Sequence, residues 1–393
     1  MKKILALSLA LIMLLGLIAC SEESGGSEEI HKIGVIVYNL GDEEVIGIRE
    51  YLQGYIEKNF EMVKFIYSGS IRSEEQEMAF IQDACDQGAE GFMSFLTYDL
   101  KAEVEFCEKN KVYYMLASGT VTDEEFASVE DNPWFLGMFG PGEQSEYTAG
   151  IEMARHFVRT KAGDRFFILS GGASVGNEMH YQRTLGMLYG LCSEYGASFG
   201  QPLDVLARTE KTISLSDKGL SVTIVPGYMS NDASRSAATN VYTMGTYDAV
   251  LASLNIGEFS SSVYRSKLGM VDSYNSRNLQ MFTNGTLQYL VGKYSSIVGP
   301  AFALMLNAVT GYAEDFRENG KAVKIAQSFW TSDSLKDYTE KYTLSNNPAM
   351  IAYSFKDLSQ VCRIFNQDAS LAQLSALARA NSYEDVLVRR RVS

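Results

Sequence analysis

The chain has 393 residues, with 34 Lys and Arg against 48 Asp and Glu, a formal net charge of −14. That balance excludes a nucleic-acid binder, whose phosphate partners demand basic patches, and argues against a protein surface that coats anionic lipid. At 46% hydrophobic and 21% charged residues the composition is globular, and the length suits two domains of ordinary size.

The first element is apolar. Lys2 and Lys3 precede a run from Ile4 to Ala19 that is broken only by Ser8. As a helix the run rises about 24 Å, too short to span a bilayer. A positive start and a short apolar core describe a secretory signal over residues 1–19. The run closes on Leu17-Ile18-Ala19-Cys20, which resembles the lipobox of bacterial lipoproteins. The resemblance implies cleavage before Cys20, acylation of its thiol and attachment of the protein to a membrane, for which two or more acyl chains suffice. Residues 20–30, with "SEESGGSEE" at their centre, cannot bury apolar surface and are expected to form a flexible tether.

From Lys32 short apolar runs alternate with longer amphipathic stretches. "KIGVIVY" (32–38) has the continuous β-branched character of a parallel strand buried on both faces. Val45, Ile48, Leu52, Tyr55 and Ile56 follow at helical spacing. "MVKFIYS" (62–68) is the next strand. The helix after it opens on the capping box Ser73-Glu74-Glu75-Gln76 and stops at Gly88. "AEGFMSF" (89–95), the helix "DLKAEVEFCEKN" and the strand "VYYMLAS" (112–118) continue the rhythm.

Past Asn132-Pro133 the strand "WFLGMFG" (134–140) leads to a helix over about 143–160. "RFFILSG" (165–171) leads to another over about 177–195. "VTIVPGY" (222–228), "YDAVLAS" (247–253) and "KLGMVDS" (267–273) read as strands, and 295–311 as a strand end plus helix. Residues 201–219 read as an irregular excursion. The tail from 350 is helical in pattern, with Ser382 to Asp385 as a cap, and its Arg389, Arg390 and Arg391 read as a solvated end. Repeated βα units imply parallel sheets with right-handed crossovers. Two runs of them, divided near residue 140, imply an α/β protein of two doubly wound lobes.

Little chemistry is legible. Cys85, Cys107, Cys192 and Cys362 form no CxxC pair and read as buried free thiols, with a disulfide left open. His31, His156 and His180 are too scattered for a zinc site, and no cofactor motif is present. "GASVG" offers Ser174 in a G-x-S-x-G frame, but the last histidine, His180, follows only six residues on, against the order such a triad needs. The reading is a binder and not an enzyme.

The lipobox, the acidic tether, "KIGVIVY" and "VKFIYSGSIRSEEQEMAFIQDACDQGAEGFMSF" together resemble the type I periplasmic substrate-binding proteins. Glu75-Gln76 stands for that family's acid-Gln pair and Gly88-Ala89-Glu90-Gly91 for its GA-x-G. The likeness covers about residues 31–345, in the order of units more than in identities. It implies two lobes joined by a three-strand hinge. Lobe 1 would hold 31–139 plus 293–320, lobe 2 140–292 plus 321–349, and 350–393 would be a helical tail. The crossovers would fall near Gly140, Lys293 and Lys321. It further implies a monomeric, lipid-anchored, extracytoplasmic protein at the outer face of the cytoplasmic membrane or in the periplasm. Such a protein closes on a sugar or nucleoside-like ligand and delivers it to an ABC permease. A sensor docking on a membrane kinase or receptor has the same fold and stays open, and a lipid-anchored enzyme ranks last.

In open parallel sheets ligands bind beyond the carboxyl ends of the strands. In lobe 1 these ends carry Tyr38, Asn39, Asp42, Ser94, Thr97, Tyr98, Ser118 and Thr120. In lobe 2 they carry Tyr228, Asn255, Asp272, Tyr274 and Asn275. Hydroxyls, amides and carboxylates of this kind pair with the hydroxyls of a polyol. By resemblance Asp272 matches a lobe 2 aspartate that takes sugar hydroxyls. The family's arginine at the start of the helix after "RFFILSG" is replaced here by Tyr181, with Arg183 two residues on. Its asparagine after "AVLAS" is matched by Asn255, offset by one. On the residues alone Asp272 is either a ligand contact or the cap of the next helix, and Tyr38 and Tyr98 either line the cleft or pack the hinge.

Overall fold

The computed structural model describes residues 30–171, 178–228, 232–263, 265–347 and 351–392. The expected signal, Cys20 and residues 20–29 of the tether lie outside the described residues.

Lobe 1 begins with β1 (His31–Val37), a buried run flanked in parallel by β2 (Val63–Ser70) and β3 (Ala89–Ser94), with His31 opposite Val63 and Ile33 opposite Gly91. The crossovers are α1 (Glu43–Tyr51), capped by Asp42 and prolonged by a π turn to Asn59, and α2 (Glu74–Asp86), capped by Ser73. Then come α3 (Leu100–Asn110), β4 (Tyr113–Leu116), the short α4 (Asp123–Ala127) and β5 (Phe135–Gly140).

The chain crosses to lobe 2 through Pro141 and Gly142. There follow α5 (Glu143–Arg159), β6 (Arg165–Leu169), α6 (Glu178–Tyr195), α7 (Leu203–Ala207), β7 (Ile213–Asp217) and β8 (Leu220–Val225). Next are α8 (Asp232–Met244), β9 (Ala249–Ala252), β10 (Lys267–Ser273), α9 (Ser276–Thr283) and β11 (Tyr289–Lys293). The chain then returns to lobe 1 as α10 (Gly299–Asn307), all of it buried, and β12 (Val323–Ala326). It crosses a third time to β13 (Trp330–Ser332) and α11 (Leu335–Asn346), and ends in a tail of α12 (Phe355–Ser359), α13 (Leu371–Arg379) and α14 (Tyr383–Val392).

Among the described residues the strands form two sheets, in the orders β12-β5-β4-β3-β1-β2 and β13-β11-β10-β9-β6-β8-β7. The first is parallel throughout, and the second is parallel apart from its edge strands β7 and β13. The two doubly wound lobes expected from the sequence are the architecture that forms.

Four details differ from expectation. The third crossover lies at 327–329 and not near Lys321, because β12 pairs with β5 in lobe 1, Val323 opposite Gly137. Arg317 fixes that return: it is 8% exposed and donates to the carbonyls of Glu130, Asn132, Phe135 and Gly320 at 2.8–3.1 Å. Residues 201–219 are not irregular, since α7 and β7 lie there and β7 forms an antiparallel hairpin with β8. The strand expected at 295 ends at Lys293, and Ser295–Val298 is a 3-10 turn. Arg389 and Arg390 are not a solvated end: they donate to the Ala352 carbonyl, and Arg390 also pairs with Asp357.

The cores follow from burial. Ile33, Val35, Phe92, Phe135, Phe166, Ile168, Leu251 and Leu290 are fully buried, each worth roughly 1.5–3 kcal/mol. The four cysteines of the folded body are free thiols, and Cys107, Cys192 and Cys362 are buried. Helices α5 and α6 touch backbone to backbone: a Cβ on Gly150 would stand 2.1 Å from the Arg183 carbonyl oxygen, and one on Gly186 2.0 Å from that of Tyr147. Gly150→Ala is therefore expected to lower stability by about 3 kcal/mol, the upper end for overpacking, read as a fall in the denaturant midpoint with an unchanged slope.

Candidate functional site

Each sheet reverses its strand order beside its first strand, between β1 and β3 in lobe 1 and between β6 and β9 in lobe 2. The crevice beyond the carboxyl ends at these points is where an open α/β sheet binds ligand. In lobe 2 residues 172–177 and 229–231 lie outside the described residues, so most of "SGGASVG", Ser174 included, is not part of the site described below.

The two lobes meet at a polar cluster built from four strand ends. The Tyr38 hydroxyl, just past β1, donates to Asp42 Oδ1 at 3.2 Å. Asp42 also caps α1 by accepting from the Glu44 amide at 2.9 Å. Lys293 ends β11 and reaches into lobe 1, where its Nζ lies 3.2 Å from both Glu44 Oε1 and Ser118 Oγ. On the neighbouring strand Asp272 is 8% exposed and accepts from Asn278 Nδ2 at 2.6 Å. Asp272 is not the cap of α9: Asn275 fills that place by accepting from the Asn278 amide at 2.8 Å, and Asp272 Oδ2 accepts from the Asn278 and Asn275 side chains at the same helix start.

The charges feel each other across the crevice. Burial first, then the Asp42 charge, pushes Asp272 up to about 7. Burial and then Glu44 raise Asp42. The Tyr38 phenol is driven far up by burial, then by Glu44, Asp42 and Asp272. Of the three carboxyls, Glu44 is the one paired with Lys293. His180 stays neutral, because burial, then Arg183 and Lys293, hold it down at about 3; its Nδ1 lies 3.4 Å from Ser253 Oγ.

Of the residues expected to bind ligand, Tyr38, Ser118 and Asp272 come together in this cluster. Asn39 is beside it, folded into the turn with its Oδ1 accepting from the Gly41 amide at 3.1 Å. Asn255 follows β9, half-buried. Arg183 is near the site but occupied: it is 4% exposed, bonds Glu146 at 2.5 and 3.1 Å, and donates to the Ser253 carbonyl at 2.7 Å. Tyr181 faces away from the cluster, with the Arg208 guanidinium 3.4 Å above its ring. Ser94 is fully buried and bonds the Leu96 carbonyl. Tyr228 is 1% exposed and bonds the Ile256 carbonyl at 2.7 Å. Tyr98 is 49% exposed, on the lobe 1 rim.

Thr97 has another task. Its hydroxyl donates to Glu103 Oε2 at 2.8 Å, and the Tyr98 and Asp99 amides donate to Glu103 Oε1. Glu103, fully buried, therefore holds the loop after β3 from below. Tyr114 donates to the same carboxylate at 2.7 Å. Glu103 is one member of a buried carboxyl pair. Its neighbour Glu77 is raised far above the carboxylate range by burial and by Glu103. The Tyr114 hydroxyl also lies 3.4 Å from Glu77 Oε1.

Sequence reasoning missed Glu44, Lys293, His180 and Glu146. One signal was available for Lys293, a lone cation closing the apolar run "YLVGK" at a crossover. Glu44 and Glu146 read as ordinary first-turn acids, and only the fold shows what they face.

No family model and no curated protein matches the sequence. Solved structures do. A solute-binding protein of an ABC transporter from Bacillus halodurans C-125, with bound myo-inositol, matches at TM-score 0.57 and 15% identity over 81% of this chain and 99% of that one. A carbohydrate transporter protein from Acidothermus cellulolyticus 11B, also with myo-inositol, matches at 0.58 and 16% over 81% and 99%. A periplasmic solute-binding protein from Actinobacillus succinogenes 130Z, with bound D-allose, matches at 0.57 and 11% over 79% and 99%. What they share with this chain is the fold, and about a fifth of this chain lies outside each match.

Two outcomes follow for single side chains. Arg183→Ala should cost about 3–5 kcal/mol of ligand-free stability, because it strands the buried Glu146 charge; chemical denaturation reads this directly. Glu77 has a folded-state pKa above its unfolded one, so its contribution is complete below the unfolded value and is lost as pH rises toward the raised one. Glu77→Gln, which keeps a donor without a titratable proton, should flatten the decline of melting temperature between about pH 5 and 9.

Proposed function

We propose that this chain, which has the fold of the type I periplasmic sugar-binding proteins, is a lipid-anchored extracytoplasmic solute-binding protein. It closes on a small, hydroxyl-rich, uncharged ligand, a sugar, cyclitol or nucleoside, and delivers it to an ABC permease. The observation that carries the reading is the cluster between the lobes: Tyr38, Asp42, Glu44 and Ser118 on one side face Asp272 and Lys293 on the other.

The chemistry of the cluster narrows the ligand. Carboxylates that accept bonds suit a solute offering several hydroxyl donors. The same carboxylates repel phosphates and sugar acids. The single cation, Lys293, already lies against Glu44, so no free positive charge among these residues waits for an anion. Closure is a hinge motion whose closed state the ligand stabilises by touching both lobes. The sugar-binding neighbours belong to transport systems, which supports delivery to a permease. The anchor rests on the Leu17-Ile18-Ala19-Cys20 resemblance.

Calorimetry and thermal shift on residues 21–393 against neutral hexoses, pentoses, cyclitols and nucleosides test the reading. At least one should bind, with a stabilisation of about 2.7 kcal/mol at a hundredfold excess over its Kd. Its phosphorylated or carboxylated counterpart should give no shift, and silence across the whole panel would overturn the assignment. The ionised Asp272 accepts from ligand hydroxyls on both oxygens and more strongly than the protonated one, so affinity should rise as pH passes through about 7, and Asp272→Asn should weaken binding and remove the pH dependence.

A further inference from the structure

The C-terminal tail is bonded to both sides of the hinge. On lobe 1 the Tyr51 hydroxyl donates to the Tyr353 carbonyl at 2.9 Å, and buried Asn307 bonds the Val361 carbonyl and the Arg363 amide at 2.9 and 2.7 Å. Phe60 packs against Phe355 and Phe365 of the tail and against Phe302 of α10, with ring centroids 4.9, 5.6 and 5.0 Å apart. These contacts fasten 351–379 to the same helices that cover the lobe 1 sheet.

The end of α13 then reaches the crossovers. Asn381 is 1% exposed. Its side chain accepts from the Ser328 amide and hydroxyl at 3.2 Å and donates to the Ser328 carbonyl at 2.8 Å. Its own carbonyl accepts from the Tyr294 hydroxyl at 3.1 Å and from Trp330 Nε1 at 2.8 Å. Tyr294 begins the second crossover, Ser328 lies in the third, and Trp330 opens a lobe 2 strand. The Tyr294 and Trp330 rings stack at 4.0 Å, and Tyr383 sets its ring against Trp330 at 5.5 Å. Lys341, on lobe 2 helix α11, lies 5.2 Å from the Tyr383 ring.

We propose that residues 351–392, which follow lobe 2 helix α11 in the chain and are clamped to lobe 1, add a noncovalent tie through Asn381 to the second and third crossovers, and that this tie sets how far the lobes open. Covalent crossings alone leave backbone rotations at the hinge to absorb domain motion. Here a wide opening carries Trp330 and Lys341 away from α10, and the buried bonds of Asn381 must break for it to occur. A small rotation centred on Asn381 keeps them. Confining the lobes near the binding-competent arrangement raises apparent affinity in proportion to the population of that arrangement. The inference concerns the motion and holds whatever the cleft binds.

The test is the distribution of distances between the lobes in the ligand-free full chain. Spin labels are placed at Tyr98→Cys and Val205→Cys, both about half exposed, with Cys85→Ser removing the partly exposed native thiol. Electron–electron double resonance should give one narrow distribution. Tyr294→Phe with Asn381→Ala, which removes four of the five bonds, should broaden it about twofold toward longer distances, and Tyr294→Phe alone by less. If the double variant fails to fold, Tyr294→Phe, the loss of one hydroxyl, carries the test by itself. A folded variant with an unchanged distribution, even at a lower melting temperature, makes the tail a stabilising cover only and overturns the proposal.

Discussion

The molecule is organised around one buried amide. Gln327, 1% exposed, donates from its backbone to the Gly140 carbonyl at 2.9 Å and from its side chain to the Ile297 carbonyl at 3.0 Å. Those three residues belong to three different passages of the chain beside the lobe boundary. A chain that passes between two sheets leaves backbone groups without a ladder partner, and burying them unpaired costs about as much as a lost hydrogen bond. Gln327 satisfies one group in each neighbouring passage and so holds the three together. Gly140 makes this possible: it has φ near +134°, and a Cβ there would stand 3.0 Å from the Gly119 backbone.

The composition of the cleft follows from where the hinge brings the strand ends. With β10 and β11 adjacent, Asp272 lies opposite Gly292 and Ser273 opposite Lys293 at the two strand ends, while the start of α1 supplies Asp42 and Glu44 from across the boundary. Each is an ordinary choice locally, since acids favour helix starts. Brought together they make a crevice rich in acceptors. Arg183 and Glu146 pair with each other behind it.

The alternation of β-branched runs with amphipathic stretches made the two lobes legible, because a strand buried on both faces must be apolar throughout and a crossover helix on one stripe only. Strands such as β1, β3 and β5 are read directly from that pattern. The edge strands were not: β7 is a half-exposed alternation inside a polar stretch, and β12 is four residues whose pairing depends on Arg317 pinning the turn before it. Tyr38, Ser118 and Asp272, expected from their position at strand ends, come together in the cluster between the lobes. Ser94, Thr97 and Tyr228 stand at similar positions, yet their hydroxyls serve the protein's own backbone or carboxylates, a difference of direction that the order of residues does not encode.

The sequence by itself determined the central strands and their helices, because periodicity, caps and breakers act over a few residues: two runs of βα units, the cap at Ser382, and an N-terminal run too short to span a membrane. Only the tertiary structure decided which carboxylates face each other, which arginine is already neutralised, and that the tail reaches back to the crossovers. Those facts depend on contacts between residues as far apart as Glu44 and Lys293 or Ser328 and Asn381. Their energies arise from distance and burial in the folded chain, and nothing in the local pattern fixes either.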